Sequence, residues 1–293
     1  MQFAITPPAP FSLHSVIHSH GWFQLAPFEI LDDGQALAYT MQLSTGKVIR
    51  FEVRSAKNLI QVTAPEQLLP GEETEVRDSV HWMLSLDSNL EDFHEAARDE
   101  PRLQKAIEKG AGKILRSPTL FEDVVKTILT TNTLWGATKS MTRKLVTGYG
   151  AAHPGDPELH AFPGAERIAA IPEDKLKEQV RVGYRAPYIS GLAHRVADGS
   201  LDLEALRTSP LPTSELRSQF LKVKGLGPYA AANLLMLLGR YDYLPIDSWA
   251  LKMVSLEWHN GVPVKPVDVE NAFSRWGSYK GLAYWLWDWT NGA

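Results

Sequence analysis

The chain has 293 residues, 44% hydrophobic and 22% charged, and a formal net charge of −4. It holds no cysteine, which excludes disulfides, thiolate catalysis and a cysteine-bound iron–sulfur cluster. The composition is that of an ordinary globular protein of one large or two to three small domains, and its acidic total argues against coating nucleic acid by bulk charge while leaving room for a focused site.

The prolines at 7, 8 and 10 predict an irregular lead-in. The stretch MQFAITPPAPFSL has neither a charged n-region nor an apolar core, so no signal peptide is expected. No apolar run approaches membrane-spanning length. Residues 36–43, 47–53 and 59–63 then alternate apolar and polar around turn signals at Asp32-Asp33-Gly34, Ser44-Thr45-Gly46 and Ser55 to Asn58. That pattern predicts an antiparallel meander. His14, His18 and His20 fall near one another, the first two at i, i+4. No cysteine and no evident third ligand joins them, so packing or surface roles are expected in place of a metal.

From Glu72 onward the apolar spacing turns helical. Residues 75–87 and 90–109 carry it, with a break at Pro101. Residues 121–132 and 133–150 predict two more helices, and Pro154, Pro157 and Pro163 predict a surface connection. Short helices follow between Pro172, Gly183 and residue 207. The tail, with Trp276, Trp285, Trp287 and Trp289, reads as a core helix packed with aromatic rings. The expected class is α+β: an N-terminal antiparallel β-domain followed by an all-α helical bundle.

One stretch carries most of the chemistry. Residues 212–223 begin with a Ser/Thr signal and run apolar residues at helical spacing. Gly225 and Gly227 bracket Leu226, Pro228 suits the first turn of a new helix, and Gly239 suits its end. A helix, a GxG turn and a helix leave backbone N–H groups free for an anion, or form only a tight hairpin. Lys222 and Lys224 flank the turn. Next, LPIDSW places Asp247 at the mouth of a helix from Ser248 to Glu257, where an acid serves simply as an N-cap or as a reactive group.

Together, GLGPYAAANLLMLL and PIDSWALK resemble the helix-hairpin-helix and catalytic Asp of the HhH-GPD superfamily of DNA glycosylases. The similarity extends to SPTLFEDVVKTILTTNTLWGATKSMTRKL, to VRVGYRAPYISGLAHRV and to the N-terminal β-domain carried by the 3-methyladenine and 8-oxoguanine branches. The resemblance implies a β-domain over 1–88, a helical domain over 113–239 ending in the hairpin, and a second helical domain from 89–112 and 240–293. It implies that Asp247 is catalytic. Asn132, Lys222, Lys224, Gly225, Gly227 and Tyr229 would contact DNA, with Asn132 filling the gap left by a flipped nucleotide. Trp22, Tyr229, Asn233 and Asp288 would line the base pocket. Backbone carbonyls of Leu221, Val223 and Leu226 would hold a sodium or potassium ion, with no organic cofactor and no iron–sulfur cluster.

Two positions depart from the family pattern. Lys224 stands where a proline is usual, and Tyr229 stands where bifunctional members place a lysine nucleophile. A phenol forms no Schiff base, so the resemblance implies a monofunctional glycosylase. The expected partner is double-stranded DNA with a damaged, alkylated purine, bound by a monomer away from membranes. The expected location is cytoplasmic with the nucleoid in a bacterium or nuclear in a eukaryote, and not secreted. A glycosylase for oxidised purines, a catalytically silent hairpin module and an unrelated helical ligand-binding protein are the competing readings. Retention of Asp247 separates the enzyme from the silent module.

Overall fold

The structure is a computed structural model, and it describes residues 1–289. Its strands are β1 (Gln2–Ile5), β2 (Phe28–Leu31), β3 (Ala36–Gln42), β4 (Val48–Ala56) and β5 (Leu59–Thr63), with a small ladder of β6 (Ala152–His153) and β7 (Asp156–His160). Its helices begin with α1 (Leu13–Ile17), α2 (Pro70–Met83), α3 (Glu91–Ala97), α4 (Pro101–Glu108), α5 (Leu120–Thr130), α6 (Trp135–Tyr149), α7 (Ala165–Ala169) and α8 (Glu173–Lys175). They continue as α9 (Ala186–Ala197), α10 (Glu204–Arg207), α11 (Thr213–Leu221), α12 (Pro228–Leu237), α13 (Ser248–Trp258), α14 (Pro266–Phe273) and α15 (Lys280–Leu286). An N-terminal antiparallel sheet followed by helices is the expected α+β class. No helix among the described residues is long and apolar enough to cross a membrane.

The chain divides into two compact units, residues 1–87 with 113–208, and residues 88–112 with 209–293. The hairpin thus belongs to the second unit, whereas the sequence reading ended a 113–239 domain with it. The reason is local fastening. Thr213 Oγ1 donates to Asp242 (2.9 Å), Arg240 Nη2 donates to the Ser209 carbonyl (3.0 Å), and the Gly281 N–H donates to the Tyr241 carbonyl (2.8 Å). These bonds close α11, α12 and the loop after them onto α15.

In the first unit the sheet order is β1-β5-β4-β3-β2, antiparallel throughout. The predicted meander is β3, β4 and β5. The lead-in is not wholly irregular: Gln2–Ile5 pairs with Ile60–Thr63 and buries Phe3. A four-residue edge strand is decided by its partner, which local propensity does not see. Likewise the proline-rich connection forms the β6–β7 ladder.

Helix α5 is buried from Leu120 to Leu129, charged residues included. Tyr39 donates to Glu122 (2.6 Å), Lys126 pairs with Glu122 (2.6 Å), and Trp22 Nε1 donates to Asp123 (2.7 Å). Burial pushes the Asp123 carboxyl up to about 7 and the His20 imidazole down to about 4. Each residue avoids a lone buried charge in this way, leaving Lys126 and Glu122 to neutralise one another.

Candidate active site

The site of the second unit begins at the hairpin. Helix α11 ends at Leu221, and the Val223 and Leu226 N–H groups donate to the Phe220 and Val223 carbonyls (2.9 and 3.1 Å). The turn requires φ of +95° at Gly225, a left-handed conformation that glycine adopts without strain. Val223 and Leu226 point inward and anchor the turn, while Lys222 and Lys224 are exposed. Helix α12 buries every residue from Ala230 to Leu237 except Asn233, and is therefore a core helix.

The start of α12 faces outward. Gly227 is its N-cap and supplies no side chain, so the first-turn N–H groups keep their capacity for an external acceptor. The backbone at Gly227 has an ordinary φ of −96°, and an added Cβ would meet nothing within 4 Å. Nothing in the free protein demands a glycine there. A ligand approaching the backbone would. Gly227→Ala is expected to leave the fold intact and to weaken binding of damaged and undamaged duplex alike by about tenfold, the usual scale of a hydrogen bond to a charged group. Fluorescence anisotropy titrations on both duplexes check this, and a loss confined to the damaged duplex would rule out a phosphate contact.

Beyond α12 the chain turns at Gly239 and runs along α15 to Asp247. The passage is tight: a Cβ at Gly281 would sit 2.7 Å from the Tyr243 carbonyl oxygen and 2.8 Å from that of Tyr241. Only glycine lets α15 approach so closely. Arg217 lies over the Tyr243 ring at 4.8 Å and steadies the same segment. Asp247 then caps α13, its Oδ1 accepting from the Ala250 N–H at 2.8 Å. Oδ2 has no protein hydrogen bond among the described residues, and the residue is exposed. One oxygen thus fixes the carboxylate and the other is open to a ligand.

Aromatic rings surround this acid. Burial and then the Asp247 charge raise the phenols of both Tyr229 and Tyr284, so both hydroxyls stay protonated beside it. Tyr229 is 42% exposed and Trp249 41%. Trp249 meets Trp289 edge-on at 5.5 Å and Tyr284 at 6.3 Å between ring centroids. Phe273, Trp258 and Trp287 continue the cluster behind them. Asn233, one helical turn after Tyr229, donates its amide to the Tyr229 carbonyl at 3.0 Å. Asp247, Tyr229, Asn233, Trp249, Tyr284 and Trp289 therefore form one group in the second unit.

Asp288, expected in the pocket, turns away from this group. Asp288 pairs with Lys105 (2.8 Å), and its N–H donates to the Arg102 carbonyl (2.9 Å). Its carboxyl is held below the usual range, chiefly by the hydrogen bond from Lys105. The tail leaves its helix at Leu286 and becomes extended at Trp287. In extended chain alternate side chains share a side, so Trp287 and Trp289 turn to the ring cluster and Asp288 turns to the cations. Trp22 belongs to the first unit, where its ring is buried and its N–H is spent on Asp123. Trp249 and Tyr284 were missed by sequence reading. The signal for Trp249 was its place two residues after the acid, and Tyr284 sits among so many aromatic residues that nothing distinguished it.

Asn132 is exposed in the first unit, with φ of +45° in the turn between α5 and α6. Its amide lies 3.4 Å from the Tyr184 hydroxyl.

The model of HhH-GPD superfamily base excision DNA repair proteins matches residues 125–283, more than half of the chain. A DNA-3-methyladenine glycosylase of Bacillus subtilis is 26% identical over 220 residues, covering 73% of this chain and 71% of that protein. The 3-methyladenine DNA-glycosylase from Archaeoglobus fulgidus superposes with a TM-score of 0.77 at 18% identity over 97% of both chains. The Clostridium acetobutylicum 8-oxoguanine glycosylase/lyase, in complex with double-stranded DNA, gives 0.72 at 21% identity over 94% of this chain and 90% of that one. At such identities the superpositions carry the fold, while the sequence match runs through both the hairpin and the acid. By that match, this chain belongs to the HhH-GPD superfamily of base excision DNA repair proteins.

Proposed function

We propose that this DNA glycosylase is monofunctional and removes alkylated purines, with Asp247 as its catalytic group. The observation that supports this most is the open carboxylate oxygen of Asp247 beside the Tyr229 and Tyr284 rings, with Trp249 packed edge-on against Tyr284. The damaged nucleotide leaves the duplex and its base lies against these rings. An alkylated purine carries positive charge, which the electron-rich ring faces attract. As the N-glycosidic bond breaks, its electron pair leaves with the base and positive charge grows on the sugar. The Asp247 carboxylate stabilises that charge and orients a water for attack at C1′, taking up the proton that the water loses. Tyr229, which occupies the position of the lysine nucleophile in bifunctional relatives, offers no amine for a Schiff base. The B. subtilis relative, named for 3-methyladenine, favours the same substrate class.

The carbonyls of Leu221, Val223 and Leu226 would hold a monovalent cation at the hairpin. Neutral oxygen donors suit such an ion, and the Val223 carbonyl, though it accepts from Leu226, has a second lone pair. The ion would add positive charge beside a phosphate.

Duplexes carrying a single 3-methyladenine, 7-methylguanine or 8-oxoguanine test the reading. The two alkylated bases should be released faster than 8-oxoguanine, leaving abasic strands that break only after alkali or heat. Faster release of 8-oxoguanine would overturn the substrate, and a borohydride-trapped adduct through a lysine would overturn the monofunctional chemistry.

A further inference from the structure

The first unit holds a cleft of about 380 Å³, and β2, β3, α6 and β7 all contribute to its lining. That volume falls within the range of small-molecule sites, about 300–1,000 Å³. Thr40 lines it from β3, a strand flanked by β4 and β2, and is only 2% exposed. Its hydroxyl has no hydrogen-bond partner among the described residues. A buried hydroxyl left without a partner costs about 1–3 kcal/mol, and valine has the same shape without that cost. The free protein gains nothing from this hydroxyl. A polar ligand in the cleft would satisfy it.

The cleft also holds charges that the protein leaves open. Lys139 and Arg143 stand one turn apart on α6 and both line it. Like charges at that spacing cost a helix about 0.2–0.5 kcal/mol. The Arg143 guanidinium has no hydrogen bond or ion pair among the described residues, and Lys139 reaches only the Gln24 amide oxygen, at 3.4 Å. Glu158, on β7, likewise has a carboxylate without a partner among them. Glu29, in the same lining, is already held by Arg50 through Nε (2.9 Å) and Nη2 (2.7 Å). Two cations and one acid therefore share a cleft without pairing with each other, while Pro27, Val146 and Leu159 make part of its lining apolar. A ligand that answers all of these groups is anionic at one end, carries N–H donors at another and has apolar faces between.

We propose that this cleft binds a free nucleoside monophosphate, with its phosphate on Arg143, Lys139 and the Thr40 hydroxyl and the N–H donors of its base on Glu158. Arg143 offers a planar fork of donors to the phosphate oxygens, Lys139 adds a second positive charge, and the Thr40 hydroxyl donates from the buried strand. A carboxylate accepts from two adjacent N–H groups, which guanine presents at N1 and N2. The apolar lining takes the faces of the base. The cleft lies wholly in the first unit and uses none of the groups around Asp247 in the second, so it stands independently of the catalytic reading above.

The test is isothermal titration calorimetry of the full chain with dGMP, deoxyguanosine and inorganic phosphate. dGMP should bind one to one and at least about tenfold more tightly than deoxyguanosine or phosphate, each of which keeps only half of the contacts. Arg143→Gln should weaken dGMP binding by about 10- to 100-fold, the scale of a hydrogen bond to a charged group, and Thr40→Val by about fivefold. Both variants should melt no lower than wild type. Glu158→Gln should weaken dGMP by about tenfold and leave inorganic phosphate unimpaired. Asp247→Asn should bind dGMP as wild type does. No binding at millimolar dGMP, or equal affinity in wild type, Arg143→Gln and Thr40→Val, overturns the site. Weaker dGMP binding by Asp247→Asn overturns it as well, by moving the nucleotide to the second unit. An Arg143→Gln protein that keeps dGMP but loses affinity for undamaged duplex also overturns it, by assigning the cations of α6 to the DNA backbone.

Discussion

Asp247→Asn should fold, bind a lesion-containing duplex with near wild-type affinity, and release the base about 10²- to 10³-fold more slowly. The fold should survive because the amide oxygen of asparagine can still accept from the Ala250 N–H, as Oδ1 of Asp247 does at 2.8 Å. What disappears is the negative charge. A preorganised charge aimed at the charge that develops in the transition state is worth about 10²–10³ in rate when removed. The cost falls on the chemical step, so single-turnover rates at saturating protein are the measurement, with anisotropy titration for binding and melting for the fold. A folded Asp247→Asn protein that releases base at the wild-type rate would leave Asp247 as a helix cap and nothing more.

The second large effect belongs to Trp249. Trp249→Ala should reduce kcat/KM for an alkylated purine by roughly 10- to 100-fold, since stacking of a base on an aromatic ring is worth about 1–3 kcal/mol. The ring is 41% exposed and touches Tyr284 and Trp289 by their edges, so its loss removes part of an open surface and little of the core. Trp249→Phe should keep most of the activity, because it keeps a ring face. Steady-state kinetics on 7-methylguanine duplex distinguish the two variants. If the alanine variant stays within about twofold of wild type, the base does not rest on this ring, and Tyr229 with Trp289 must supply the stacking surface.

These two residues differ in how far the sequence revealed them. Asp247 was legible as a candidate because it ends a short contiguous pattern: a glycine turn, an apolar helix, a proline and an acid at a helix start. Each part is set by local backbone requirements, so order along the chain stands in for position in space. Trp249 was not singled out, although it is two residues away, because a tryptophan among nine carries no local mark of exposure. Asp288 shows the opposite failure. Helical spacing was carried through the tail, and one residue of error in where the helix ends sends a side chain to the other side.

The amino-acid sequence by itself determined the α+β class, the β3–β5 meander, the hairpin, the capping acid and the absence of a thiol or a lysine at position 229. All of these rest on short-range rules of periodicity, turn chemistry and side-chain reactivity. Only the tertiary structure decided that the hairpin belongs with residues 88–112 and 240–293. The same holds for the β1 strand formed by Gln2–Ile5 against β5 and for Asp288 turning to Lys105. Those outcomes depend on which distant surfaces meet. Burial and pairing are properties of the partner as much as of the residue, so a single stretch of chain does not contain them.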